Sequence, residues 1–162
     1  QKGQHSRYKF ISRYRSYHGN GMGSLAATGQ AQRKYKYEPL APGFIHVAPP
    51  DEYRFPEKSD CKPSELHAVK EMDRVMTWEL SETIAAVIME PIITGGGVIM
   101  PPDGYLTGVK EVCEKHGVEL SVPAFKYCTD NAAMIGAAAY PLYKEGKFAD
   151  LDLNATSRDE IY

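Results

Sequence analysis

The run Ile84-Ala85-Ala86-Val87-Ile88-Met89-Glu90 most constrains what this chain can fold into. It is continuous, largely apolar and of strand length, without the polar alternation of a half-exposed strand, which predicts a strand covered on both faces in a parallel sheet. Before it, Leu66, Val69, Met72 or Asp73, Met76 and Leu80 recur at helical spacing behind Pro63 and a capping Ser64. After it, the loop TGGGVIMPPDG leads to an Asp103 cap and a second amphipathic segment. There Tyr105, Leu106, Val109, Val112 and Cys113 share a face until Gly117 stops it. VELSV reads as the next strand. Strands alternating with helices imply right-handed βαβ crossovers, and the fold class is α/β with a mainly parallel sheet.

Upstream, YKFISRYRSY from Tyr8 to Tyr17 alternates at period two and predicts a strand closed by the turn cluster His18-Gly19-Asn20-Gly21. Met22 to Gln32 predicts a helix weakened by Gly29, and Phe44 to Val47 a short strand between proline-bearing turns. Pro49 to Pro63 carries too many prolines for regular structure and reads as a surface loop. At the other end, Asn131 to Glu145 predicts an alanine-rich helix interrupted by Pro141.

Hydrophobic residues at 43%, charged residues at 25% and a net charge of −2 exclude a disordered tail and fit one globular domain of 162 residues. Cys61, Cys113 and Cys128 lack a zinc-ligand spacing and read as reduced thiols. No apolar run approaches the roughly 18 residues of a membrane span, and no apolar leader stands at the N-terminus, so a cytoplasmic protein without membrane contact is expected. Charge is uneven: Gln1 to Tyr37 holds eight Lys and Arg and no acid, while all 21 acids follow from Glu38. With Tyr8, Tyr14, Tyr17, Tyr35 and Tyr37 interleaved, this end has the makings of an RNA surface, phosphates on the cations and bases on the rings. The plainer reading is a strand that packs its rings and leaves its arginines solvated.

Gly95-Gly96-Gly97 is not followed by the residues of a phosphate loop and reads as a flexible loop. Glu90 stands at the C-terminal end of a buried parallel strand, where α/β sheets place ligands; alternatively it bonds a loop N–H. Tyr17-His18-Gly19 presents a ring and an imidazole at a turn. The five histidines, His5, His18, His46, His67 and His116, include no helix-borne pair at metal-binding spacing, and spacing nominates no Ser, His and Asp set.

Taken together, RYRSYHGNGMGSLAATG, GFIHVAPPDEYRFPE, AAVIMEPIITGGGVIMPPDGYL and VKEVCEKHGV resemble the large, cofactor-binding domain of the class III aminotransferases, which use pyridoxal phosphate. The resemblance covers residues 1–118. It implies that Tyr17 stacks on the cofactor, that His18 and Gly19 belong to the same turn, and that Glu90 lies close to the active site. The family also uses a glycine-serine phosphate loop, an Asp-Glu-Val strand whose aspartate meets the pyridine nitrogen, and a lysine that bonds the cofactor. None of the three is matched here, which implies that the chain alone is catalytically incompetent and binds pyridoxal phosphate weakly.

Residues 119–162 make a second segment. VELSVPAFKYCTDNAAMIGAAAYPLYKEGKFADLDLNA resembles the C-terminal end of the tRNA adenosine threonylcarbamoyltransferase family, once called O-sialoglycoprotein endopeptidase. The resemblance implies a metal-ligand role for Asp130, but the H-x-x-x-H partner pair is absent, so a bound metal is not expected and Asp130 reads as a helix cap. The expectation is a chimera of an aminotransferase fragment and a foreign tail that self-associates through sheet edges its parent covered. A tRNA-modification-related or RNA-binding module, or a structural chimera without activity, is the alternative.

Overall fold

In the computed structural model, residues 3–57, 60–120, 124 and 132–150 are described. The chain forms two compact units, Gln1–Leu120 and Ser121–Tyr162. In the first, β1 (Lys9–Arg13), β2 (Phe44–Val47) and β3 (Ile84–Val87) form a sheet of order β2-β1-β3 with every pair parallel. The predicted α/β class and parallel sheet are therefore present. Ile11 is the hub, in register with Ile45 on one side and Val87 on the other.

Helix α3 (His67–Trp78) buries Val69, Met72 and Met76 completely. Removing each such side chain from water stabilises the fold by about 2 kcal/mol. Helix α4 (Tyr105–Lys115) adds Tyr105, Val109, Val112 and Cys113 to the same core, which also takes in Ile11, Val47 and Ile84. The spacing of apolar residues thus located both helices, but not their starts. Ser64 lies inside a 3-10 turn, Pro63–Glu65, so α3 begins after Leu66, and α4 begins after Gly104, at φ 82°, without a side-chain cap from Asp103.

Three further expectations are corrected. The helix predicted over 22–32 is two pieces, α1 (Met22–Ala27) and α2 (Ala31–Lys34). Gly29 leaves the helix to exchange backbone hydrogen bonds with Arg15 and Ser16, at 2.8 and 3.0 Å. A Cβ at Gly29 would stand 2.1 Å from the Arg13 carbonyl oxygen, so only glycine permits this approach. The strand predicted over 8–17 ends at Arg13, because Arg15 adopts the left-handed region at φ 67°. The run 84–90 is not covered on both faces: Ile84 is fully buried but Ala85 and Ile88 are exposed, and the strand ends at Val87.

Arg13 also departs from expectation, being fully buried rather than solvated. Its Nη2 donates to the Glu90 carbonyl and its guanidinium lies 5.7 Å from the ring centre of Tyr105. Val118 to Leu120, the described part of VELSV, is not a strand, and its last residues lie outside the described ones. In the second unit, α5 (Ala132–Lys144) runs through Pro141 instead of being interrupted by it. Tyr143, in its last turn, meets Phe148 edge to face with ring centres 5.8 Å apart. Asp130 and Cys128 lie outside the described residues.

Candidate active site

The turn after β1 and the loop after β3 meet at the C-terminal ends of the parallel strands. Glu90 joins them: its Oε1 accepts the Tyr17 N–H at 2.9 Å, while its Oε2 accepts from the Thr94 N–H at 3.3 Å and the Thr94 hydroxyl at 3.2 Å. Of the two readings of Glu90, the structure shows the one in which it bonds loop N–H groups, those of Tyr17 and Thr94.

Around this anchor the turn is closely specified. The His18 N–H donates to Thr28 Oγ1 at 2.9 Å, and the Thr28 hydroxyl in turn reaches the carbonyls of Ser24 at 3.0 Å and Gly19 at 3.2 Å. Gly19 adopts φ 123°, and a Cβ there would approach Ser24 Oγ to 2.7 Å. Gln30 donates through Nε2 to the Arg15 carbonyl at 3.0 Å and accepts Arg33 Nε at 2.6 Å, which brings the Arg33 guanidinium 5.0 Å from the Tyr17 ring centre. Thr28 and Gln30, both buried, escaped sequence reading because nothing in their spacing marks them.

His18 Nε2 is buried and has no hydrogen-bond partner. Burial lowers the His18 pKa, the Glu90 charge opposing this and Arg13 and His46 adding to it; burial lowers that of His46 as well. Tyr17 therefore supplies a half-buried ring, and His18 a neutral imidazole with an unmet hydrogen-bonding nitrogen. The Tyr17 ring can stack on an aromatic heterocycle, whereas His18 Nε2 is enclosed by the fold itself. Among the described residues no group of His, Cys, Asp and Glu could hold a metal ion.

Two other clusters were not legible in the sequence. Asp51, 6% exposed, accepts Nη1 of Arg54 at 2.7 Å and Nη1 of Arg15 at 3.2 Å. Burial pushes its carboxyl up, but hydrogen bonds from Arg54 and the charges of Arg54 and Arg15 hold it below the usual range. The i,i+3 spacing of Asp51 and Arg54 in a turn-rich loop was the one available signal. Ser81, His116 and Asp73 also assemble: Ser81 Oγ lies 2.5 Å from His116 Nδ1, and His116 Nε2 lies 2.6 Å from Asp73 Oδ1. Lys115 Nζ reaches the same carboxylate at 2.7 Å, so this cluster ties the end of α4 to α3. Burial of Cys113 raises its pKa, in keeping with an unreactive core thiol.

Comparison with known proteins bears on the family and the fold. A family profile described as Aminotransferase class-III matches residues 1–122. An uncharacterized aminotransferase of Bacillus subtilis, YhxA, is 67% identical over 120 residues, which is 74% of this chain and 26% of that protein. A taurine–pyruvate aminotransferase of Bilophila wadsworthia is 37% identical over 112 residues, covering 69% of this chain and 24% of its own length. The crystal structure of a Bacillus anthracis aminotransferase superposes with a TM-score of 0.69 at 63% identity, over 72% of this chain and 26% of that one. A thermostable omega-transaminase from Thermomicrobium roseum gives 0.65 at 42% identity over the same shares. The chain spans about a quarter of the length of the curated relatives it matches. With most of its sequence, residues 1–122, matched by the family profile, the chain belongs to the class III aminotransferases.

Proposed function

We propose that residues 1–118 are a portion of an aminotransferase large domain whose task is to present a fixed aromatic platform to pyridoxal phosphate. The observation that carries this reading is the Glu90 carboxylate on the Tyr17 N–H at 2.9 Å, which locks the ring-bearing turn to the end of the sheet. Tyr17 stacks on the pyridine plane, His18 follows it in the same turn, and Gly19 gives the turn its left-handed bend. Pyridoxal phosphate, when bound, supplies the electron sink for moving an amino group between an amine and an oxo acid. The ring alone contributes about 1 kcal/mol beyond area burial, so binding by this chain is weak.

The chain by itself is catalytically incompetent on this reading, because no segment of it matches the family's phosphate loop, pyridine-nitrogen aspartate or cofactor-bonding lysine. Residues 119–162 form a tail akin to that of the tRNA threonylcarbamoyltransferases, without the histidines that would make Asp130 part of a metal site. To test this, the protein is mixed with pyridoxal phosphate, reduced with borohydride, digested and mapped. The expected result is substoichiometric label spread over several lysines. Stoichiometric label on one lysine, abolished in Tyr17→Ala and accompanied by amino-group transfer, overturns it.

Self-association in the cytoplasm goes with this reading. Ile88 and Ile92 are 41% and 37% exposed beside the edge strand β3. Sedimentation velocity should show a concentration-dependent, salt-insensitive increase in mass; a monomer at every concentration counts against it. Among the described residues no helix is long and apolar enough to cross a membrane. The exposed rings of Tyr8, Tyr14, Tyr35 and Tyr37 beside Lys and Arg favour a second reading, an RNA surface. Retention on RNA that falls steeply with added salt would support it, and no retention at low salt would dismiss it.

A further inference from the structure

We infer that the cavity of about 270 Å3 behind the β1 and β2 strand ends is a binding site for a small oxyanion, gripped by the guanidiniums of Arg15 and Arg54. This goes beyond the pyridoxal phosphate platform and rests on different residues.

Arg15 follows β1 by two residues and Asp51 follows β2 by four, so the cavity opens at the carboxyl ends of parallel strands. The Arg15 backbone is held in the left-handed region, at φ 67°, by its N–H on the Gly29 carbonyl and by Gln30 Nε2 on its own carbonyl. A non-glycine residue held in that region by its surroundings is the kind of feature that accompanies a functional site. Gly97 leaves room for the side chain: a Cβ there would stand 2.9 Å from Arg15 Nη2.

Asp51 orients both guanidiniums but uses only Nη1 of each, and among the described residues neither makes another side-chain hydrogen bond. The remaining N–H groups form a planar fork that suits a carboxylate or phosphate. One buried carboxylate between two guanidiniums leaves an excess positive charge. Glu52, exposed at the rim as Arg54 is, offsets that charge, so the ligand is recognised by the N–H fork rather than by net charge. The volume falls below that of sites for drug-sized ligands, which points to a small organic acid or a phosphate group.

The test is a titration of the whole chain, followed through the arginine Nε–Hε resonances at constant ionic strength, with sodium acetate in one arm and sodium phosphate in the other. The Arg15 and Arg54 signals should move together with one saturable midpoint, while those of Arg13 and Arg33 stay in place. Saturation by acetate alone assigns a carboxylate site, and saturation by phosphate alone a phosphate site. Arg54→Gln should weaken the midpoint roughly tenfold and Glu52→Gln should tighten it. Signals that stay still, or drift linearly without saturating in both arms, overturn the inference even if the variants fail to fold. So does an unchanged midpoint in folded Arg54→Gln.

Discussion

The carboxylate of Glu90 accepts the backbone N–H of Tyr17 at 2.9 Å, joining two residues 73 positions apart in sequence. The same side chain also gathers Thr94, so one group fixes both the turn after β1 and the loop after β3. Replacing it should loosen both at once. Glu90→Ala is expected to lower unfolding stability by about 1 kcal/mol, a charged hydrogen-bond contribution discounted for partial exposure. Urea denaturation measures this, and hydrogen exchange at the Tyr17 amide should accelerate in the same variant. Unchanged exchange there would mean that the turn holds itself.

Gly29 gives a steric prediction. Its missing Cβ would lie 2.1 Å from the Arg13 oxygen and 2.6 Å from the Tyr14 Cα, both backbone atoms that cannot step aside. Gly29→Ala should therefore destabilise the chain by about 3 kcal/mol. Gly136, where an added Cβ would meet nothing within 4 Å, is the control, and Gly136→Ala should do no harm. A Gly29→Ala protein as stable as the parent would contradict the close approach of these backbones.

His18 and His46 make stability depend on pH on the mildly acidic side. Burial lowers both folded-state values from 6.5, so the unfolded chain binds protons more readily than the folded one. Their neutral forms support the fold fully above the unfolded value, and that support is lost as pH falls from 6.5 toward the folded values. Thermal melts from pH 7.5 to 5 should show a falling midpoint, with a shallower slope in His18→Gln. An equal slope in that variant would remove His18 from the account.

Asp73 acts at lower pH. Burial raises its carboxyl, but hydrogen bonds from Lys115 and His116 prevail and hold it below 3.8. Its contribution is present above the unfolded value and disappears as pH falls through the folded one, so Asp73→Asn should flatten the acid limb of the stability curve. Because Asp73 is 31% exposed, the effect should be small, within about 1 kcal/mol. An acid limb unchanged in Asp73→Asn would show that the clamp contributes nothing to stability.

What the sequence determined by itself was local. The apolar spacing in α3 and α4, the alternation around β1 and the β-branched run at β3 each express a helical or extended period within a few residues. The α/β class, the parallel sheet and the neighbourhood of Tyr17 and Glu90 follow from those patterns and from the family motifs. Tertiary structure decided whatever depends on which backbone approaches which. It put β1 at the centre of the sheet, buried Arg13 against Glu90 and Tyr105, turned Arg15 into a left-handed conformation against Gly29, and assembled Ser81, His116 and Asp73. These contacts join residues far apart in the chain, so no local period records them; they exist only once the crossovers have closed and the strands are paired.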